Sequence, residues 1–322
     1  MKRGYFLCLF TAAILPLFAQ NQTVMIDGTP RDTSYTIYSA YQKLHKTYPS
    51  IAFVDETLPD GIIKKENITY KTVCQLNGAK RDLKLSVFRP KDARNYPVVM
   101  IIHGGGWSSG TREMMTSFAQ NLSLKGFITV CVEYRLSPEA LYPAGVDDLN
   151  DAVEWMFSNA GKYKCHKNKI AVAGFSAGGQ LASLIGTKNR CNHIKAVVNV
   201  DGITTFVEKE TIDHAEKAKR EGGKMPADVL WLGGVYSEKP EIWEDASPLY
   251  WVNKKTAPVL FINGSIPRFH NGRDEFIKKL NRFGIYSEVY SFDNCPHNFW
   301  LFLPWHYVTV EKTAGFLQTI LH

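Results

Sequence analysis

The chain has 322 residues, of which 45% are hydrophobic and 21% charged, with a formal charge of +7. Those proportions exclude a disordered or fibrous chain and suit one large globular domain carrying an extension. The basic residues are scattered, with no Lys/Arg tract interleaved with aromatics, which argues against a nucleic-acid partner. At the start, Lys2 and Arg3 precede an almost wholly apolar run from Tyr5 to Phe18, and Ala19 offers a small residue for cleavage before Gln20. The run is short for a membrane span, so residues 1–19 read as a secretory signal peptide. Export is therefore expected, to the periplasm if the source is bacterial, with no membrane association after the signal is removed. Its removal takes Lys2, Arg3 and Cys8 away, lowering the charge from +7 to +5 and leaving five of the six cysteines.

Residues 20–66 are mixed polar and aromatic, with a short helix predicted near Ser39–Lys46, and read as an N-terminal extension wrapping the domain. Residues 67–322 form that domain. Ile68–Val73 and Leu83–Phe88 alternate apolar with polar around Asn77-Gly78, which predicts an antiparallel hairpin. Buried strands are predicted at 98–102, 127–133, 169–173, 196–200, 258–262 and 286–292. Helical patterns at 115–125, 146–159, 177–187, 272–283 and 307–321 separate most of them. Such alternation means an α/β fold, a mostly parallel sheet covered on both faces. Residues 203–256 are too many for a simple crossover; they hold a charged helical stretch (Glu208–Arg220) and Trp231, Trp243 and Trp251, and are assigned as a cap insertion.

Cys165 and Cys191 precede the fifth and sixth predicted strands, and if those strands are neighbours a Cys165–Cys191 disulfide is plausible in an oxidising compartment, though the sequence does not decide it. Cys131 reads as an inert core residue. No CxxC or HExxH motif is present, so no metal or cofactor is expected.

The chemistry concentrates at Gly174-Phe175-Ser176-Ala177-Gly178, directly after the apolar run Ile170–Ala173. A strand that ends in Gly-x-Ser-x-Gly and turns at once into a helix lifts its serine to the carboxyl edge of the sheet. Upstream, Val98–Ile102 runs into His103-Gly104-Gly105-Gly106-Trp107, a loop suited to an oxyanion hole. Ser176 is the expected nucleophile, with the backbone N–H groups of Ala177 and of Gly105 or Gly106 as oxyanion donors. His297 follows the last strand in Asp293-Asn294-Cys295-Pro296-His297 and has the placement of the general base. His103 reads as an orienting or packing residue.

Together with Val132–Pro138, Tyr142-Pro143-Ala144 and Asp148, these motifs resemble the α/β-hydrolase superfamily. More narrowly, the chain resembles its bacterial carbohydrate-esterase branch of feruloyl, acetyl-xylan and pectin esterases. The resemblance spans about residues 68–321 and implies bracing roles for Tyr134, Arg135 and Asp148. It also implies a catalytic acid just after the seventh strand, where this chain instead reads Asn263-Gly264-Ser265-Ile266-Pro267-Arg268-Phe269-His270, with no carboxylate. Asp201, at the end of the sixth strand, is the first substitute and keeps the order Ser, Asp, His. Asp274, at the start of the next helix, is the alternative, and Asp293 is a third.

The segments Asn263–Arg273 and Asn298–Phe302 resemble a subgroup associated with pectin breakdown, including rhamnogalacturonan-directed pectin methylesterases. That resemblance implies Arg268 or Arg273 meeting a galacturonate carboxylate and Trp107 or Trp300 stacking on a sugar. The expected function is a secreted serine esterase that releases methanol from methyl-esterified pectin, with acetyl or feruloyl ester hydrolysis as the rival. An exopeptidase or a catalytically dead binding module ranks lower.

Overall fold

The computed structural model describes residues 23–321 except 27, 76, 77 and 93. The expected signal peptide (1–19) and the turn residue Asn77 lie outside the described residues. Eight strands make the central sheet: β1 (Ile62–Cys74), β2 (Lys80–Pro90), β3 (Tyr96–Ile102), β4 (Ile128–Val132), β5 (Cys165–Phe175), β6 (Ile194–Val200), β7 (Val259–Asn263) and β8 (Ser287–Ser291). Their order across the sheet is β8-β7-β6-β5-β3-β4-β2-β1. The β1–β2 and β2–β4 pairs are antiparallel and the remaining pairs parallel.

Alternate residues of each central strand enter different cores, which is why these strands read as unbroken apolar runs. In β3, Val98, Met100 and Ile102 face one side, under helices α3 (Ala144–Ser158), α4 (Ala177–Lys188) and α8 (Arg273–Arg282). Val99 and Ile101 face the other, where α1 (Ile37–Leu44), α2 (Thr116–Ser123) and α9 (Trp305–Leu321) pack. The hairpin is longer than its alternation predicted, and its first strand starts at Ile62, inside the segment read as extension.

The rest of the extension does wrap the domain. Ala52–Phe53 pairs with Phe302–Leu303, Tyr48 packs edge-on against Trp305, and Asp32 bridges to Ser109. The segment 203–256 carries α5 (Lys209–Arg220), α6 (Ala227–Leu232) and α7 (Pro240–Asp245). Trp231 and Trp243 are buried as its apolar centre, whereas Trp251 is 39% exposed under the Lys188 ammonium.

The Cys165–Cys191 disulfide is absent, since both are free thiols. The strands are neighbours, but pairing between β5 and β6 begins only at Ile170 and Ile194, while Cys165 lies level with Tyr96 on the β3 side. Cys191 sits in the turn before β6, out of register with it. Cys131 is buried as expected, and burial pushes its thiol far up.

Candidate active site

Ser176 stands on the bend between β5 and α4 with φ +55° and ψ −120°, a conformation that costs a side-chain-bearing residue free energy and persists only where its surroundings enforce it. The enforcement is close packing of backbone. A Cβ on Gly174 would lie 1.8 Å from the Gly178 carbonyl oxygen, and one on Gly178 would lie 2.2 Å from that of Ile102. Only glycine fits at either position.

His297 joins two groups from different strand ends. Its Nε2 is 2.8 Å from Ser176 Oγ, and its Nδ1 is 2.9 Å from Asp201 Oδ2. With Nδ1–H donating to the carboxylate, Nε2 is free to accept the seryl proton. Burial lowers the imidazole pKa, and the neighbouring Asp201 carboxylate opposes that shift. Asp201 is fully buried, and its other oxygen accepts from the Gly264 N–H at 2.8 Å. Asn263 Nδ2 approaches that oxygen at 3.4 Å and is itself held through Oδ1 by Arg273 at 2.9 Å.

Of the three candidate carboxylates, then, the structure brings Asp201 to the histidine. Asp274 is 67% exposed and paired with Arg273, and Asp293 lies exposed on the loop before Cys295. His103 is buried, stacks on Tyr134 and bonds to the Gly104 carbonyl, as a packing residue would. Asp148 accepts two hydrogen bonds from the Arg135 guanidinium, at 2.8 Å each.

These groups open onto a cavity of about 630 Å³. Gly105, Gly106 and Ala177 line it beside Ser176. Gly105 has φ +125°, and a Cβ there would lie 2.1 Å from the Ser109 carbonyl oxygen, so only glycine fits at that turn of the loop. Arg268 also lines the cavity, whereas Arg273 is absent from the wall because it braces Asn263. The implied sugar platforms are filled by protein. Trp300 is 1% exposed, packing on Phe175 and setting its edge against His297. Trp107 borders the cavity, but Trp231 covers its ring at 5.2 Å and Gln180 accepts from its indole N–H.

Several wall residues escaped the sequence. Phe269 stacks flat on the His297 ring at 3.6 Å and carries the Arg268 guanidinium at 4.6 Å from its own centroid. Tyr35 donates to Asn298 Oδ1 at 2.7 Å. The cap contributes Glu210, His214 and Asp228, whose carboxyl is pushed up by burial against the opposing charges of His214 and Arg268. Phe269 adjoins Arg268 in the altered loop, which was a usable signal. Tyr35 and Asn298 lie 263 positions apart, and nothing local links them. Among the described residues, no group of three His, Cys, Asp or Glu side chains is placed to hold a metal ion.

A family model described as BD-FAE matches residues 85–269. Esterase LipC of Mycobacterium tuberculosis is 29% identical over 196 residues, covering 56% of this chain and 47% of LipC. The chain spans about half the length of the curated relatives it matches. Among solved structures, an esterase of Pyrobaculum calidifontis superposes with a TM-score of 0.66 at 24% identity, covering 89% of this chain and 94% of that one. A truncated carbohydrate esterase from gut microbiota superposes with a TM-score of 0.65 at 19% identity, covering 83% of this chain and 98% of that one. At those identities the two structures speak to the fold, an α/β-hydrolase fold.

Proposed function

The chain belongs to the BD-FAE family of α/β hydrolases, and from that premise we propose that it is a serine carboxylic-ester hydrolase acting on plant cell-wall carbohydrate. The observation that carries the proposal is the unbroken Ser176–His297–Asp201 relay at the floor of a cavity walled by Gly105, Gly106 and Ala177. In this mechanism His297 Nε2 takes the seryl proton as Oγ attacks the ester carbonyl. The backbone N–H groups of Ala177 and of Gly105 or Gly106 hold the developing oxyanion. His297 then protonates the leaving alcohol, and water, activated by the same imidazole, releases the acid. Asp201 keeps Nδ1 protonated and stabilises the imidazolium.

The preferred bond is the methyl ester of galacturonate in pectin. Arg268 supports it, as an exposed guanidinium on the cavity wall suited to a neighbouring uronate carboxylate. Glu210 and Asp228 on the same cavity favour a second assignment, an acetyl or feruloyl ester on an uncharged sugar, because carboxylates accept from sugar hydroxyls and repel uronates. Export rests on the Lys2-Arg3 pair and the apolar run that follows it, and N-terminal sequencing of the mature protein tests it.

Quantifying methanol and acetate released from native pectin decides between the two esters. Methanol supports the first, and acetate with no methanol moves the assignment to the second. Ser176→Ala is expected to lower either release by roughly 10⁴-fold or more while leaving the fold intact. It should also abolish labelling by a fluorophosphonate. Retained turnover in that variant would sink the nucleophile assignment.

A further inference from the structure

Beside the reactive cavity lies a second groove, of about 590 Å³. We propose that it is a subsite for an uncharged sugar residue flanking the ester-bearing one; this rests on the assignment of the protein as a carbohydrate esterase.

The groove adjoins the reactive cavity. Tyr35 lines both, and its phenol is tied to Asn298, the residue after His297. Trp300 borders the groove and sets its ring edge against His297, with centroids 5.1 Å apart. Only the thickness of a side chain therefore separates the groove from the general base. A glycan whose ester carbonyl sits at Ser176 and whose chain continues past Tyr35 lays its neighbouring ring in the groove.

The wall chemistry selects what that ring can be. Tyr38 is 62% exposed on the groove, and Phe53 is 47% exposed there with one ring face stacked on Tyr41 at 4.4 Å. Large aromatic surface left open beside a polar wall suits the C–H face of a pyranose. Carboxylate acceptors for its hydroxyls come from Glu56 and Glu113, the latter held by Arg112 at 2.8 Å. No lysine or arginine is among the described residues lining the groove. With Glu113 paired to Arg112, the Glu56 carboxylate is the like charge a uronate would meet there, and an uncharged sugar would not. The two sites thus differ in their cations: Arg268 stands beside Glu210 and Asp228 on the reactive cavity, whereas the described lining of the groove has carboxylates without a lysine or arginine.

The test compares full-length wild type, Tyr38→Ala and Tyr38→Phe on two substrates: methyl-esterified rhamnogalacturonan oligosaccharides, which carry neutral sugars, and p-nitrophenyl acetate, which is too small to reach the groove. Tyr38→Ala should raise the ratio of the oligosaccharide KM to the p-nitrophenyl acetate KM about three- to tenfold. Tyr38→Phe should preserve the wild-type ratio, because the ring face and not the hydroxyl is used. An unmoved ratio in Tyr38→Ala overturns the subsite, as does equal loss on both substrates. So does a change of sedimentation coefficient from dimer to monomer, which would give the groove to a second copy of the chain. Wild type active on p-nitrophenyl acetate but inert on every carbohydrate ester would remove the carbohydrate assignment and the subsite together. Activity on both with an unmoved ratio would remove the subsite alone.

Discussion

In the proposed mechanism one proton moves between Ser176 and His297, and its direction depends on Asp201 keeping the imidazole in one tautomer. Asp201→Asn is expected to lower kcat by roughly 10³–10⁴-fold with little change in KM, whereas Asp274→Asn should run near wild type. Crippled turnover in Asp274→Asn alone would contradict that placement. The pH profile carries a second expectation. Burial, aided by the Arg268 charge, holds the His297 pKa below the ordinary imidazole value of 6.5, so kcat/KM should begin to fall only below that pH. Arg268→Ala removes one depressing charge, so the acidic limb should move to higher pH, modestly because Arg268 is solvent-exposed. A shift to lower pH, measured with a neutral ester, would contradict the Arg268–Phe269–His297 stack as its cause.

Among the elements, the cap depends on one ring. Trp231 packs against Trp107 and Phe206, which also touch each other, with Tyr142 edge-on, and is 1% exposed. Trp231→Ala should cost about 3–5 kcal/mol, seen as a lower Tm, because deleting a buried indole leaves a cavity that its neighbours fill only in part. It should also lower turnover, since Trp107 and Ala227 border the reactive cavity from that side. The strands, the elbow and the loop bearing His297 were legible because each is written locally, as an apolar run, a glycine pair or a histidine after the last strand. The acid was only partly legible. Asp201 was favoured by chain order, but its pairing with Gly264 and His297 depends on how β6 and β7 align. Arg273 and Trp300 were misassigned because residue type alone does not reveal that Asn263 or Phe175 already occupies a side chain. The disulfide failed for a related reason, since neighbouring strands share an end without sharing a register.

For the molecule as a whole, buried histidines set an acid limit. Burial pushes both His103 and His306 down to about 4 from an ordinary 6.5. Between those values the unfolded chain binds more protons than the folded one, so stability is complete above 6.5 and is lost as pH falls toward 4. Each group can contribute a slope of up to about 1.4 kcal/mol per pH unit in that window. The urea midpoint should therefore be lower at pH 5 than at pH 7, and His306→Gln should flatten the difference; an equal midpoint at both pH values would refute the linkage. The bond from Tyr35 to Asn298 has a consequence in time as well. Synthesis delivers Tyr35 early, yet its partner and the Trp305 ring that receives Tyr48 come near the end of the sequence. While the ribosome is between codons 201 and 297, Ser176 and Asp201 already exist but His297 does not. The leading segment must wait undocked until the final helix emerges. On the proposed mechanism a nascent chain is thus inert toward esters until His297 has been made.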